Sequence, residues 1–255
     1  MLLLALLLAQ PQPPGAQPPG PRPGITSPAE GPAGWRERFD ELWKTRDQPG
    51  VEKQLEQAAL QHLAAEPRSF DANWRLASLY NWQANAKEGD EKAALGKKAW
   101  EAADKAIQAN PGDVRGHYNA GVGIGLYSEG VGIITALSQG LEGKFRERML
   151  AALRIDKNFL DGAPQVVWGR YFFKLPWPKR DLDESIRVLR IAVRTHPANP
   201  RAKLYLADAL IVNGLEGQDD EAHKLVQQIL VAPGGRDPPE EKRVKEMARK
   251  WKSRH

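Results

Sequence analysis

One short segment recurs five times along the chain, each time at the close of a helix-forming stretch. It reads LAAEP ending at Pro67, IQANP ending at Pro111, RID before Lys157, RTHP ending at Pro197 and LVAP ending at Pro233. The copies are 44, 46, 40 and 36 residues apart. A small residue holds a matching place in four of the helical stretches, at Ala77, Gly121, Gly169 and Ala207. A pair of amphipathic helices cannot hide its apolar stripe alone and packs against a neighbouring copy, so a repeat at this interval reads as stacked helical hairpins. Such a stack offers a concave surface and no reactive group by default, which points to binding before any chemistry is considered.

The interval is somewhat longer than the roughly 34 residues of an ideal tetratricopeptide repeat. The expected fold is therefore all-α: an α-solenoid of about five tetratricopeptide-like hairpins with lengthened loops and a C-terminal capping helix. The hairpins are read as 35–46 with 51–65, 71–86 with 91–109, 114–144 with 145–155, 163–173 with 181–195, and 201–212 with 219–231. Gln48-Pro49-Gly50 separates the first pair. In 91–109 the residues Leu95, Ala99, Ala102, Ala103 and Ala106 form one stripe at three- and four-residue intervals, small enough for a neighbouring backbone to come close. Asp181 followed by Glu184 is a capping pattern ahead of Ile186, Leu189 and Val193. The last helix, from Pro239 to about Lys252, sets Val244, Met247, Ala248 and Trp251 on one face and is expected to cap the open end.

The domain plan follows from composition. Residues 1–9, MLLLALLLA, have the length of a secretory h-region and are too short to span a bilayer, so export to the periplasm is expected. Residues 10–33 hold nine prolines between Pro11 and Pro32 and read as an extended spacer. Residues 34–235 are the repeat domain and 236–255 a basic capping helix. The formal charge is +5, and the last twenty residues carry eight Lys/Arg against four Asp/Glu, leaving the body near neutral. A phosphate backbone needs a sustained basic face, so nucleic acid is not expected as a partner. The absence of cysteine removes disulfides, thiolate nucleophiles, zinc–cysteine sites and lipidation at an N-terminal Cys.

No motif for catalysis, cofactor or metal emerges. Gly121-Val-Gly123-Ile-Gly125-Leu126-Tyr127-Ser128-Glu129-Gly130 fails as GxGxxG in every register and as a P-loop, because Val131 stands where Lys is needed. Its glycines read as a contact face in a close-packed helix. The five histidines are single, with no second ligand at metal spacing, no GxSxG elbow exists, and no carboxylate pair is isolated in apolar surroundings. Neither enzyme activity nor a cofactor is expected.

Aligning the four small residues on the tetratricopeptide pattern implies, by that resemblance, which residues face the groove. These are Trp74, Ser78, Asn81 and Trp82, then Tyr118, Val122 and Leu126, then Val166, Arg170 and Lys174, and finally Arg201, Leu204, Asp208 and Val212. The Lys and Asn of a carboxylate clamp are not found at the corresponding positions.

The stretch Leu160-Asp161-Gly162-Ala163-Pro164, continuing as Trp168-Gly169-Arg170-Tyr171-Phe172-Phe173-Lys174-Leu175-Pro176-Trp177-Pro178, resembles the T component of tripartite ATP-independent periplasmic (TRAP) transporters. So does LYLADAL, from Leu204 to Leu210. The resemblance covers about residues 70–232. It implies an exported, helical, noncatalytic accessory protein that associates with the periplasmic solute-binding subunit and handles an apolar or organic-acid ligand; homo-oligomers are compatible with it. Two departures are the lack of a lipobox Cys and Trp177-Pro178-Lys179-Arg180 where a Gly-Gly turn is common. Arg170, Tyr171, Lys174 and Trp177 are the expected contact region, with Trp168, Tyr171 and Phe172 alternatively filling the hairpin. A general periplasmic scaffold for envelope proteins is the other function compatible with the same groove.

Overall fold

The computed structural model describes residues 34–255, so the signal-like segment 1–9 and the spacer 10–33 lie outside the described residues. The described residues form twelve helices and no strand. They are α1 (Trp35–Trp43), α2 (Val51–Ala65), α3 (Phe70–Ala84), α4 (Gly89–Ala109), α5 (Val114–Val131), α6 (Ile133–Ser138), α7 (Leu141–Asp156), α8 (Phe159–Lys174), α9 (Leu182–Thr195), α10 (Pro200–Asn213), α11 (Gln218–Val231) and α12 (Pro238–Lys252). Each helix packs on its chain neighbours, and the first helices of successive hairpins meet as well, α3 on α5 and α8 on α10. The expected helical repeat is the observed architecture.

The recurring proline is a start signal for the next helix. Two residues beyond Pro67, Pro111 and Pro197 stand Ser69, Asp113 and Asn199, whose side chains accept from Ala72 N (3.4 Å), Arg115 N (2.9 Å) and Ala202 N (3.0 Å). Each satisfies one of the backbone N–H groups that a helix start leaves unpaired. Asp181 caps α9 through Glu184 N at 2.9 Å, as the capping pattern predicts. Ahead of the fourth repeat Lys157 stands in the place of the recurring proline, and the small residue comes twelve residues after it, where the other repeats have ten. The two extra residues are taken up by a left-handed turn at Leu160, Asp161 and Gly162, with φ of 47°, 54° and 78°. Asn199 holds that turn by donating from Nδ2 to the Asp161 carbonyl at 2.9 Å. Helix α8 thus starts at Phe159, ahead of the expected Ala163, and Pro164 falls in the first turn of its right-handed part, where a missing N–H is harmless.

The small-residue slots lie where the helices of a hairpin touch. A Cβ on Gly121 would stand 2.6 Å from Met149 Cε of α7, and one on Gly169 2.6 Å from Leu189 Cγ of α9. Ala77 and Ala207 are fully buried. The closest approach is between α4 and α5, where a Cβ on Gly96 would lie 2.5 Å from Tyr127 N and one on Gly123 2.7 Å from Trp100 N. Gly116, Gly123 and Gly130 stand seven apart, nearly one line along a helix, and all three face α4. The glycine run is a packing seam.

One expected boundary is corrected. The helix expected to run from Val114 to Lys144 stops at Gly132, where φ is 90°, is followed by the short α6, and turns again at Gly140, where φ is 68°. Glycines alone adopt such angles freely, and here they break the helix twice. The core is divided among three clusters: one around Leu55, Leu79 and Ala103, one around Ile124, Phe145 and Met149, and one around Leu189, Leu210 and Val244.

Helix α12 does more than cover an open end. Its Val244, Ala248 and Trp251 join the core of α10 and α11. Its charged side chains reach the first hairpin, with Asp237 on Arg46 at 2.6 Å and Lys242 on Asp47 at 2.9 Å, and the second, with Arg243 on the Trp82 carbonyl of α3 at 2.9 Å.

Candidate functional site

The break in the third repeat leaves a gap beside α5. Helices α5, α6, α7 and α8 enclose a cavity of about 170 Å³, lined by Val122, Leu126, Ile133, Leu137, Leu141 and Phe145, with Glu129, Glu142, Arg170, Tyr171 and Lys174 as its polar groups. Tyr205 of α10 and Asn85 at the end of α3 complete the wall. The wall is mainly apolar with a few convergent charges, the usual make-up of a small-ligand site.

Glu129 is the most constrained of the charges. Its two oxygens meet Lys92 Nζ at 3.1 Å and Lys174 Nζ at 3.2 Å. Burial alone would raise its carboxyl, but Lys174 and Lys92 hold it below the usual carboxylate range. The site therefore contains a carboxylate flanked by two ammonium groups against an apolar wall. Opposite, Arg170 donates to Asp208 at 2.7 Å, and its guanidinium lies between the rings of Phe173 and Tyr205, 4.3 and 4.4 Å from their centroids. Tyr171 donates to Glu142 at 2.9 Å and accepts from Arg146 at 3.3 Å, and burial, with Glu142 helping, raises its hydroxyl. Glu142 in turn is held low by its bond to Lys179. Phe145, Trp168 and Tyr171 stack, with Phe145 and Trp168 each 5.1 Å from Tyr171, so Tyr171 both fills the hairpin and faces the cavity.

Of the expected groove residues, Val122, Arg170, Tyr171 and Lys174 meet at this cavity, and so does Leu126. The others do not line it. Ser78 and Asn81 both donate to Asn119 Oδ1 at 3.1 Å, closing the α3–α5 interface. Trp74 lies between the guanidiniums of Arg75 (4.4 Å) and Arg115 (4.9 Å). Trp82 is buried, donates to Glu52 at 2.8 Å and is covered by Arg46 and Arg243. Tyr118 packs edge-on against Phe159, and Arg201 bonds Glu240 (2.6 Å) and the Tyr205 hydroxyl (3.0 Å). Asp208 serves Arg170, and Trp177 stands 89% exposed on the α8–α9 loop, flanked by a cis Trp177–Pro178 bond. The tetratricopeptide alignment assumes an open groove, whereas here α12 covers the part made by α3 and α10.

Sequence reading missed Glu129 and Lys92, and α6 with Ile133 and Leu137. A carboxylate in the middle of a glycine-rich apolar run was the available signal for Glu129. Among the described residues no group of three His, Asp or Glu side chains is placed to hold a metal ion, and no helix is long and apolar enough to cross a membrane.

Fold and cavity together define a helical-repeat protein with a pocket between consecutive repeats. Residues 36–182, α1 to the first residue of α9, match the family described as regulator of microtubule dynamics protein 1-3, and the chain belongs to that family. No curated protein compared with the chain matches it.

Proposed function

We propose that the chain is a noncatalytic binding protein that holds the apolar or anionic end of a small organic molecule in the α5–α8 cavity. The observation that carries this reading is Lys92 and Lys174 converging on Glu129 at the edge of an otherwise apolar pocket of about 170 Å³. Apolar cavities on the order of 150 Å³ take up a benzene-sized group. A ring or short chain would sit among Val122, Leu126 and Phe145, and a carboxylate would compete with Glu129 for Lys174. Native mass spectrometry of the protein isolated from its own cell tests this. A bound small molecule is expected, and it should be lost in Val122→Trp, which fills the cavity; a chain that carries nothing in both forms rejects the reading.

Two partner settings fit a binding module. The segment Leu160 to Pro178 and the LYLADAL segment support an accessory role in TRAP-type uptake, with the periplasmic solute-binding subunit as partner. That role requires export, the expectation attached to residues 1–9. The name of the matched family supports instead a role in regulating microtubule dynamics. Purified protein offered a TRAP solute-binding subunit on one hand and assembled tubulin on the other separates them, because each setting predicts binding to one and not the other. A general envelope scaffold would bind neither and would carry no small molecule.

A further inference from the structure

Helix α12 reaches the start of the repeat domain almost wholly through charged side chains, while its apolar residues turn to α10 and α11. The centre of that contact is Arg46. Its side chain is 3% exposed, and its guanidinium lies between the indoles of Trp43 and Trp82, 4.4 and 4.2 Å from their centroids. Nη1 donates to the Trp43 carbonyl, and Nη2 reaches both Asp237 oxygens at 2.6 and 2.7 Å. Nε is buried without a partner. A guanidinium fixed flat by two aromatic faces, with one edge still to be satisfied, is a built receptor for a carboxylate. Arg201 of α10 takes the second carboxylate. It is held by the Tyr205 hydroxyl and bonds Glu240 at 2.6 Å.

The two carboxylates stand three residues apart at the beginning of one helix, Asp237 as its N-cap and Glu240 in its first turn. Their receptors lie on α10 and just beyond α1, so the pair is read as a unit. Arg243, on α12 itself, sits beside both receptors: burial lowers it to about 10, and Arg201 and Arg46 add repulsion against the attraction of Glu240. The loop that brings α12 in, Ala232-Pro-Gly-Gly-Arg-Asp237, has two glycines and is mostly exposed. Asp237 itself is 44% exposed, although the arginine it serves is buried. The Arg46 receptor is thus interior, and what fills it is a half-exposed carboxylate at the start of a helix whose Val244, Ala248 and Trp251 pack on α10 and α11.

We propose that Arg46 and Arg201 form a docking surface for a partner helix that begins with two carboxylates three residues apart, and that α12 is the intramolecular occupant which such a partner displaces. The occupant is chosen by charge complementarity. Two guanidiniums relieved of α12 need two carboxylates at the Asp237–Glu240 spacing, and a buried unpaired charge is strongly unfavourable.

A fluorescent peptide of residues 236–251 of the chain itself is the probe, titrated into the full-length protein. Asp237→Asn/Glu240→Gln in the protein keeps an N-cap residue and the helix-forming character while removing both charges. That variant is expected to bind the peptide at least about tenfold more tightly than the wild type, since the internal competitor is weakened. A peptide bearing the same two changes keeps the Val244, Ala248 and Trp251 face and should bind the variant at least about tenfold more weakly than the unchanged peptide does. Equal binding to wild type and variant, or binding that survives an added Arg201→Gln in the protein, overturns the proposal. The second measurement needs no protein variant: saturating peptide should speed hydrogen exchange of the α12 amides in the wild-type chain, and unchanged or slower exchange there also overturns it. A dimer formed by the double variant without peptide would show α12 passing between copies and would count against an external partner.

Discussion

The glycines of α5 differ in what faces them, and that sets the effect of replacing them. A methyl on Gly123 would meet the α4 backbone at Trp100 N, which cannot move alone, whereas a methyl on Gly121 would meet the far end of Met149, which can. Gly123→Ala is therefore expected to lower the melting temperature more than Gly121→Ala, with a loss of about 1–3 kcal/mol for the former from overpacking. Larger changes, Gly121→Leu and Gly169→Leu, are expected to cost at least as much, and an unchanged melt for both would contradict the packing. Glu129 gives a pH test. Its folded carboxyl titrates below the ordinary 4.5, so its pairing contributes stability above that value and loses it as pH falls through the lowered one. Thermal melts of wild type and Glu129→Gln should differ at pH 7, with the variant lower, and converge as the pH falls through the lowered carboxyl value.

Among the elements, α6 is the one whose presence the cavity depends on. Gly132 holds φ at 90°, and Gly132→Ala is expected to destabilise the chain by about 1–3 kcal/mol through backbone strain, read by chemical denaturation. The same change should weaken small-molecule retention, because Ile133 and Leu137 are displaced from the wall. This element also marks the limit of what the sequence discloses. Helix α9 is legible because cap and apolar spacing agree, and Asp181 behaves as its position implies. The run 114–144 is not legible, since a glycine inside a helical pattern can be a contact or a break, and Gly123 and Gly132 are one of each. Arg170 and Lys174 could be placed at the site because the small-residue slot at Gly169 sets the facing of α8, whereas Tyr171 follows only from the family resemblance. Trp74, Trp82 and Arg201 could not, because their neighbours come from helices about 30 to 160 positions away and a repeat pattern carries no information on such pairings.

Across the whole molecule, the two ends of the repeat domain are joined to each other by charges and aromatic faces, while each part is held within itself by apolar packing. Raising salt to 1 M shortens the screening length to about 3 Å and weakens exposed pairs first. Hydrogen exchange of α12 is accordingly expected to accelerate with salt well before that of α3 and α4, whose contact is a close backbone seam. Equal acceleration in all three would show that the ion pairs to Arg46 and Asp47 do not restrain α12. The pairing of Arg46 with Asp237 spans 191 positions. A loop of that size carries a large entropic cost of closure, so this contact belongs late on the folding route, after the nearer hairpins have formed. Tightening it should lengthen the lifetime of the native state and leave the speed of its formation almost untouched.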